Sequence, residues 1–287
     1  MKKFEDNFWG EGDHGMDAIL AALKEGRNNL GALETFMESK LHAEEEYNKK
    51  MSKAAKNFKH DDLPGMNEAM RKLVLCTNEI CEKREEFITI LRGKVLGSIA
   101  DLRQHLETIK HDHKVVAYGF QKEKDKHIKI VQKAKENYFS KQESLSKLNA
   151  KSIDHSDPNA VQKHQKKVKE IQVQIDEAER YYKSMIENQK TVHDTWYKEL
   201  RLTFAALQQL ETKRLKTTKE ILHAAYDSEI PLVETSIAIL NDLTKAFDAI
   251  EVEKDIQVFI QVRATGTEIP SPVSYEIQDF SEPKEEE

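Results

Sequence analysis

Between Pro64 and Asn149, apolar residues return at every seventh position, and no proline follows Pro64 in that stretch. Ile88, Val95, Leu102, Ile109 and Val116 form one row. Ile99, Leu106 and Phe120 form a second, interrupted by His113. A repeat of seven is a period of 3.5, the period of helices that supercoil and pack knobs into holes. The stretch is predicted as one helix, about 130 Å long if straight and continuous. Gly93, Gly97 and Gly119 interrupt it, each as a bend point or as a place where another backbone approaches closely.

Two further periodic stretches flank this one. A first helix is predicted from Asp13 or Gly15 to about Phe58. Its seam is Ile19, Leu23, Leu30, Leu33, Met37 and Leu41, continued by Tyr47, Met51 and Phe58. Gly26 and Gly31 lower its propensity and suggest a bend. His60–Leu63 reads as a turn, with Asp62 as an N-cap and Pro64 in the first helical turn. After a break at Ala150–Ser156, Asp157-Pro158 signals another helix start. That helix runs to about Asp227, with rows Val168–Ile175–Tyr182 and Ile171–Ala178–Met185–Val192, extended by Trp196, Leu200, Phe204, Leu207 and Leu210. Pro231 predicts a break or a kink at Ser228–Pro231, followed by a fourth helix over Leu232–Ile250. Residues 255–280, with Pro270 and Pro272, read as extended, and 281–287 as an acidic, disordered tail. At the other end, Phe4, Phe8 and Trp9 precede Gly10, Gly12 and Gly15; they read as an arm whose aromatics dock on the helical core.

These elements predict an all-α fold: an elongated antiparallel helical bundle with a short extended C-terminal segment. The first long helix is shorter than the other two, so it covers only part of them. The remaining apolar surface predicts a twofold homodimer, since obligate dimers commonly bury about 2,000 Å² or more.

Composition agrees with long helices: 33% charged residues, 7% aromatic, and only 10 Gly and 6 Pro in 287 residues. The net charge of -6 comes from the last twenty residues; the rest carries equal numbers of basic and acidic groups, so placement matters more than sum. Cys76 and Cys81 are five apart, about 140° around a helix, which predicts buried thiols rather than a disulfide or metal pair. No signal peptide and no spanning apolar run is visible, which predicts a cytosolic chain. There is no glycine-rich phosphate loop, His-Glu-x-x-His, Gly-x-Ser-x-Gly or Cys-x-x-Cys, so neither enzyme activity nor a cofactor is expected. His111 and His113 diverge on a helix and predict no metal site.

Charge placement carries the functional signal. Lys110–Lys135 holds eight lysines against three acidic residues. Lys122, Lys126, Lys129 and Lys133 are spaced 4, 3 and 4, so they share one face; Lys110 and Lys114 lie on a neighbouring stripe. Lys163, Lys166, Lys167 and Lys169 are expected to come near the later part of the second long helix. Nucleic acid would favour arginine forks and interleaved aromatics. A stripe almost entirely of lysine fits an anionic membrane surface better, where each basic residue contributes about 1 kcal/mol. The competing expectation is a coiled-coil scaffold that binds protein partners without bending membranes.

The residues then resemble a known family. Phe4, Phe8-Trp9-Gly10, Gly15 and Glu44-Glu45-Glu46-Tyr47-Asn48-Lys49 resemble the opening of an F-BAR domain. Phe259-Ile260, Thr265-Gly266-Thr267-Glu268, Pro270 and Pro272 are similar to the close of the domain in the proline-serine-threonine phosphatase interacting protein branch and its fungal cytokinetic relatives. The resemblance implies an F-BAR domain over 1–280. It implies a crescent-shaped antiparallel dimer, peripheral at a membrane or cell cortex, that binds phosphatidylserine and phosphoinositides through its concave face. Further implications are a link to the actin cytoskeleton, cytokinesis or endocytosis, and cytoskeletal or phosphatase-type protein partners. Lipid contact is implied for Lys56, Lys110, Lys114 and Lys122, to which the lysine spacing adds Lys126, Lys129 and Lys133. The chain departs from the family pattern at Lys40 and His113, where arginine is common, and at Gln121, where a basic pair is usual.

Overall fold

The computed structural model describes residues 2–152 and 158–277. The Asp157 start signal, residues 153–156 of the expected break, and the 281–287 tail lie outside the described residues. In order, the elements are α1 (Phe4–Asn7), α2 (His14–Lys56), α3 (Pro64–Ile90), a π-helical segment (Leu91–Leu96), α4 (Gly97–Asn149), α5 (Pro158–Asp248) and α6 (Val252–Arg263). No strand occurs among the described residues. The chain forms two compact units: Met1–Asn48 with Arg84–Leu232, and Lys49–Lys83 with Val233–Glu287.

In the first unit the seams meet in one core. Ile19, Leu30 and Met37 of α2, Phe87 of α3, Leu91 and Val95 of the π segment, Ile99 of α4, and Phe204 and Leu207 of α5 are almost fully buried there. Each such side chain contributes roughly 1.5–3 kcal/mol through removal from water. Arginines ride the edges of this core. Arg103 donates to Glu34, Arg84 to Glu44, and Arg92 to Glu45 at 2.5 Å.

The periodic rows hold where the core is and fail at their ends. Val116 is 43% exposed, and Ala117 is buried in its place. An ideal helix drifts about 20° per heptad relative to a strict seven-residue repeat, which carries Val116 off the seam. Tyr47 and Phe58 are likewise exposed rather than continuing the α2 seam. Asn48 takes the buried position and donates to Glu85 at 3.1 Å, while Tyr47 lies under the Arg84 guanidinium at 4.4 Å.

The helix glycines have specific causes. α2 runs unbroken through Gly26 and Gly31. A Cβ on Gly26 would sit 2.7 Å from Arg214 Nε, so the missing side chain seats an arginine from α5. Within the chain nothing approaches Gly93, Gly97 or Gly119 within 4 Å. Gly93 lies instead inside the π-helical segment.

α5 corrects the largest boundary expectation. It continues through Pro231 to Asp248, so Ser228–Pro231 is no break and Leu232–Ile250 is no separate helix. Proline costs a helix interior about 3 kcal/mol. The cost is met because Ile221, Ala225 and Leu232, on both sides of it, are buried in one core.

The second unit is smaller. Cys76 packs with Ile239 and Leu243. Both Cys76 and Cys81 are buried, as their spacing predicts. Residues 252–263, whose greater part was expected to be extended, form α6. Its buried Asp255 accepts the backbone N–H groups of Gly65 and Met66, each at 2.9 Å. The start of α3 is therefore capped from another helix. Asp61 accepts Leu63 N–H at 2.8 Å, while Asp62 pairs with Arg263 at 3.1 Å and is no cap.

Candidate functional site

The lysine row lies on the part of α4 that packs against α5 and the N-terminal arm. The arm fixes this region. Phe4 N–H donates to Gln208 at 2.9 Å, and Glu5 pairs with Lys3 at 3.2 Å and Arg201 at 3.5 Å. Trp9 stacks on Tyr197 at 5.2 Å and meets Trp196 and Phe204 edge-on. Gly12 turns the chain at φ +57°. The arm therefore docks its aromatics on the core, as the sequence predicts.

Beneath Trp9, buried Gln121 holds α4 in rotation. Its Oε1 accepts Trp196 Nε1–H at 2.8 Å, and its Nε2 donates to Asp125 at 3.0 Å. Lys124 points inward, with Nζ 3.3 Å from the Trp196 ring centroid, and burial pushes its pKa down. Tyr118 donates to Asp17 of α2; burial first, and then that bond, raise its pKa to about 12.

With α4 held this way, Lys122, Lys126, Lys129 and Lys133 line one open groove together with Asp13, Tyr118, Glu123 and Asp125. All four lysines are exposed. Lys126 is paired with Glu123 at 3.1 Å, and that hydrogen bond holds the Glu123 carboxyl below its usual range. Lys122, Lys129 and Lys133 have no ion pair among the described residues.

The remaining expected lysines are distributed elsewhere. Lys114 is exposed, 5.7 Å from the Tyr118 ring. Lys110 is only 16% exposed in its side chain and pairs at 2.8 Å with Glu107, whose carboxyl that bond holds low. Arg27 shares the same carboxylate at 3.1 Å. Lys110 is thus an internal pairing residue rather than a free cation. Lys56 is exposed at the end of α2, in the second unit.

Lys163, Lys166, Lys167 and Lys169 do not join the groove. Early α5 runs beside late α4, with His164 against the Leu148 carbonyl at 3.3 Å and Lys141 donating to Gln174 at 2.9 Å. Between Lys133 and Leu148 lie fifteen helical steps, about 22 Å. Sequence reasoning passed over Asp13 as a groove residue, and read Gln121 only as a missing basic residue. Neither carries a periodic signal, because the packing of the arm places both.

Among the described residues no three His, Cys, Asp or Glu side chains gather as metal ligands, and no helix is long and apolar enough to cross a membrane.

No family model matches the chain. It is 24% identical over 285 residues to proline-serine-threonine phosphatase-interacting protein 1 of Mus musculus, covering 96% of this chain and 68% of that protein. It is 22% identical over 293 residues to the septation protein imp2 of Schizosaccharomyces pombe, covering 96% of this chain and 41% of that protein. Among solved structures, the Imp2 F-BAR domain superposes with a TM-score of 0.82 at 19% identity, over 96% of this chain and 92% of that one.

Proposed function

This chain has the F-BAR fold, and from that premise we propose that it is a dimeric module that binds and shapes or scaffolds anionic membrane through the α4 lysine groove. The observation that carries the reading is the shared face of Lys122, Lys126, Lys129 and Lys133, exposed along one groove. At about 1 kcal/mol per lysine near anionic lipid, three unpaired lysines in each of two copies supply appreciable binding. The Debye length is about 8 Å at physiological salt, so only lysines close to the bilayer count. Lys114 lies on the flank of this face and Lys56 is a separate exposed contributor; Lys110 contributes least, because Glu107 already holds it.

The names of the relatives, a septation protein and a phosphatase-interacting protein, support a place in septation and a phosphatase-type partner. Both belong to the reading as partners of the whole protein, beyond the lipid surface itself.

Sedimentation with phosphatidylserine vesicles tests the reading. Wild type is expected to sediment with them and to be released by added salt. Joint substitution Lys122→Glu, Lys129→Glu and Lys133→Glu is expected to abolish binding while leaving the helix content intact. Lys110→Glu alone, and Lys2→Glu with Lys3→Glu, are expected to do little. If the triple variant binds as wild type does, the groove is not the contact surface. If wild type ignores such vesicles, the protein-scaffold reading replaces this one.

A further inference from the structure

The groove that carries the lysines also carries a carboxylate from the arm. Asp13 is the residue before α2, and its carbonyl accepts Asp17 N–H at 2.9 Å, as an N-cap residue's does. Its side chain is half-buried and lines the groove beside Lys122, Lys126, Lys129 and Lys133. The other groove carboxylates are engaged: Glu123 by Lys126, Asp125 by Gln121. Asp13 has no hydrogen-bond or ion-pair partner for its carboxylate among the described residues. We propose that Asp13 is the selectivity-setting residue of this surface: a fixed counter-charge, delivered by the arm, that offsets the groove lysines and raises the density of anionic lipid needed for binding.

The proposal rests on the membrane reading above and adds its regulation. Helix capping alone does not require a charge, because asparagine caps as well as aspartate. The charge is already unfavourable where it sits. Burial first, and then Asp17 and Asp125, raise the pKa of Asp13, with His14 and Lys124 opposing. An approaching anionic headgroup adds to that repulsion. Asp13 therefore subtracts from each lysine contact instead of neutralising one partner. A surface with such a residue needs a higher density of anionic lipid for the same binding than its lysines alone would need.

The test is a binding titration against vesicles of graded phosphatidylserine content, comparing wild type with Asp13→Asn, Asp13→Glu and Asp6→Asn. Asp13→Asn keeps the size of the side chain and the backbone bond to Asp17 and removes the charge. It is expected to bind more tightly, by about five-fold for the one charge near the lipid surface in each copy, and to do so at a lower phosphatidylserine fraction. The gain is expected to shrink with added salt. Asp13→Glu keeps the charge and is expected to match wild type. Asp6→Asn removes an equal charge from an exposed part of the arm, away from the groove, and is also expected to match wild type. Equal gains for Asp6→Asn and Asp13→Asn mean that net charge is the cause and overturn the proposal. So does unchanged binding of Asp13→Asn by a wild type that itself binds. If neither wild type nor Asp13→Asn binds any vesicle, the membrane reading fails and this inference falls with it. Should Asp13→Asn lose helix content, the Glu variant still decides: weaker or stronger binding than wild type contradicts a role set by charge.

Discussion

Gly15 has no room for a side chain: a Cβ there would lie 1.6 Å from the Phe8 carbonyl oxygen. That contact is backbone, so it cannot yield as a flexible side chain does. Gly15→Ala must lift the arm, and is expected to lower the melting temperature and raise exposure of Trp9, seen as a red shift in tryptophan emission. Gly26→Ala meets only the end of Arg214 and is expected to cost less. Both glycines are plain in the sequence, yet their reasons are not, because the crowding atoms come from elsewhere in the chain. Gly26 reads locally as a bend and is instead a seat for Arg214. Tyr118 supplies a pH test. Its pKa in the folded chain, pushed up to about 12, lies above the usual phenol value of about 10. The folded state therefore favours the protonated phenol; this contribution is full below about pH 10 and lost as pH rises toward 12. Tyr118→Phe is expected to remove that part of the alkaline loss of stability, measured by chemical unfolding at pH 9 and pH 11.

At the scale of elements, the long helices were legible because their cores obey a seven-residue pattern, and their interruptions were not. The π segment has one trace in the sequence: buried Leu91, Val95 and Ile99 are spaced four and four rather than three and four. Pro231 reads as a break by local rule, but buried neighbours on both sides hold the helix together. Pro231→Ala restores the backbone donor toward Asp227 and is expected to leave helix content unchanged without lowering the melting temperature; a loss of helix content would show that the proline shapes the packing. α6 was missed because its apolar residues, such as Ile256 and Phe259, are exposed and its burial is polar. Glu253 and Asp255 in its first turn and Arg263 in its last were the available signal. Asp255→Ala uncaps α3 and is expected to cost about 1–2 kcal/mol, read in thermal unfolding. Of the candidate site, Lys122, Lys126, Lys129 and Lys133 were legible from spacing alone. Lys110 lies twelve positions before Lys122, about 120° around the helix from that row, with Glu107 three residues before it; only the fold adds Arg27 and the burial of Lys110.

At the scale of the whole molecule, α5 leaves apolar side chains uncovered along one face. In the first unit Leu215, Leu222, Tyr226 and Ile230 are between 38% and 56% exposed. In the second, Val233, Ile237, Leu240 and Phe247 are between 42% and 54% exposed. Within the first unit the spacing from Leu222 to Ile230 is 4 and 4, which keeps Leu222, Tyr226 and Ile230 on one stripe. A stripe this long is costly in water, and a second copy of the chain covers it most simply by twofold pairing. The expected outcome is a dimer in sedimentation velocity at micromolar concentration. Leu222→Glu with Ile230→Glu places two like charges from each copy in that contact and is expected to yield a monomer. The same variant tests the membrane reading from a distance, since neither residue belongs to the groove. Pairing the two grooves makes the second attachment intramolecular, worth 10²–10⁴ in avidity as an order of magnitude. A folded monomer is therefore expected to lose most vesicle binding with every groove lysine intact. If the double variant remains a dimer, the α5 stripe is not the pairing face; if it becomes a folded monomer and binds as tightly as wild type, attachment does not depend on two copies.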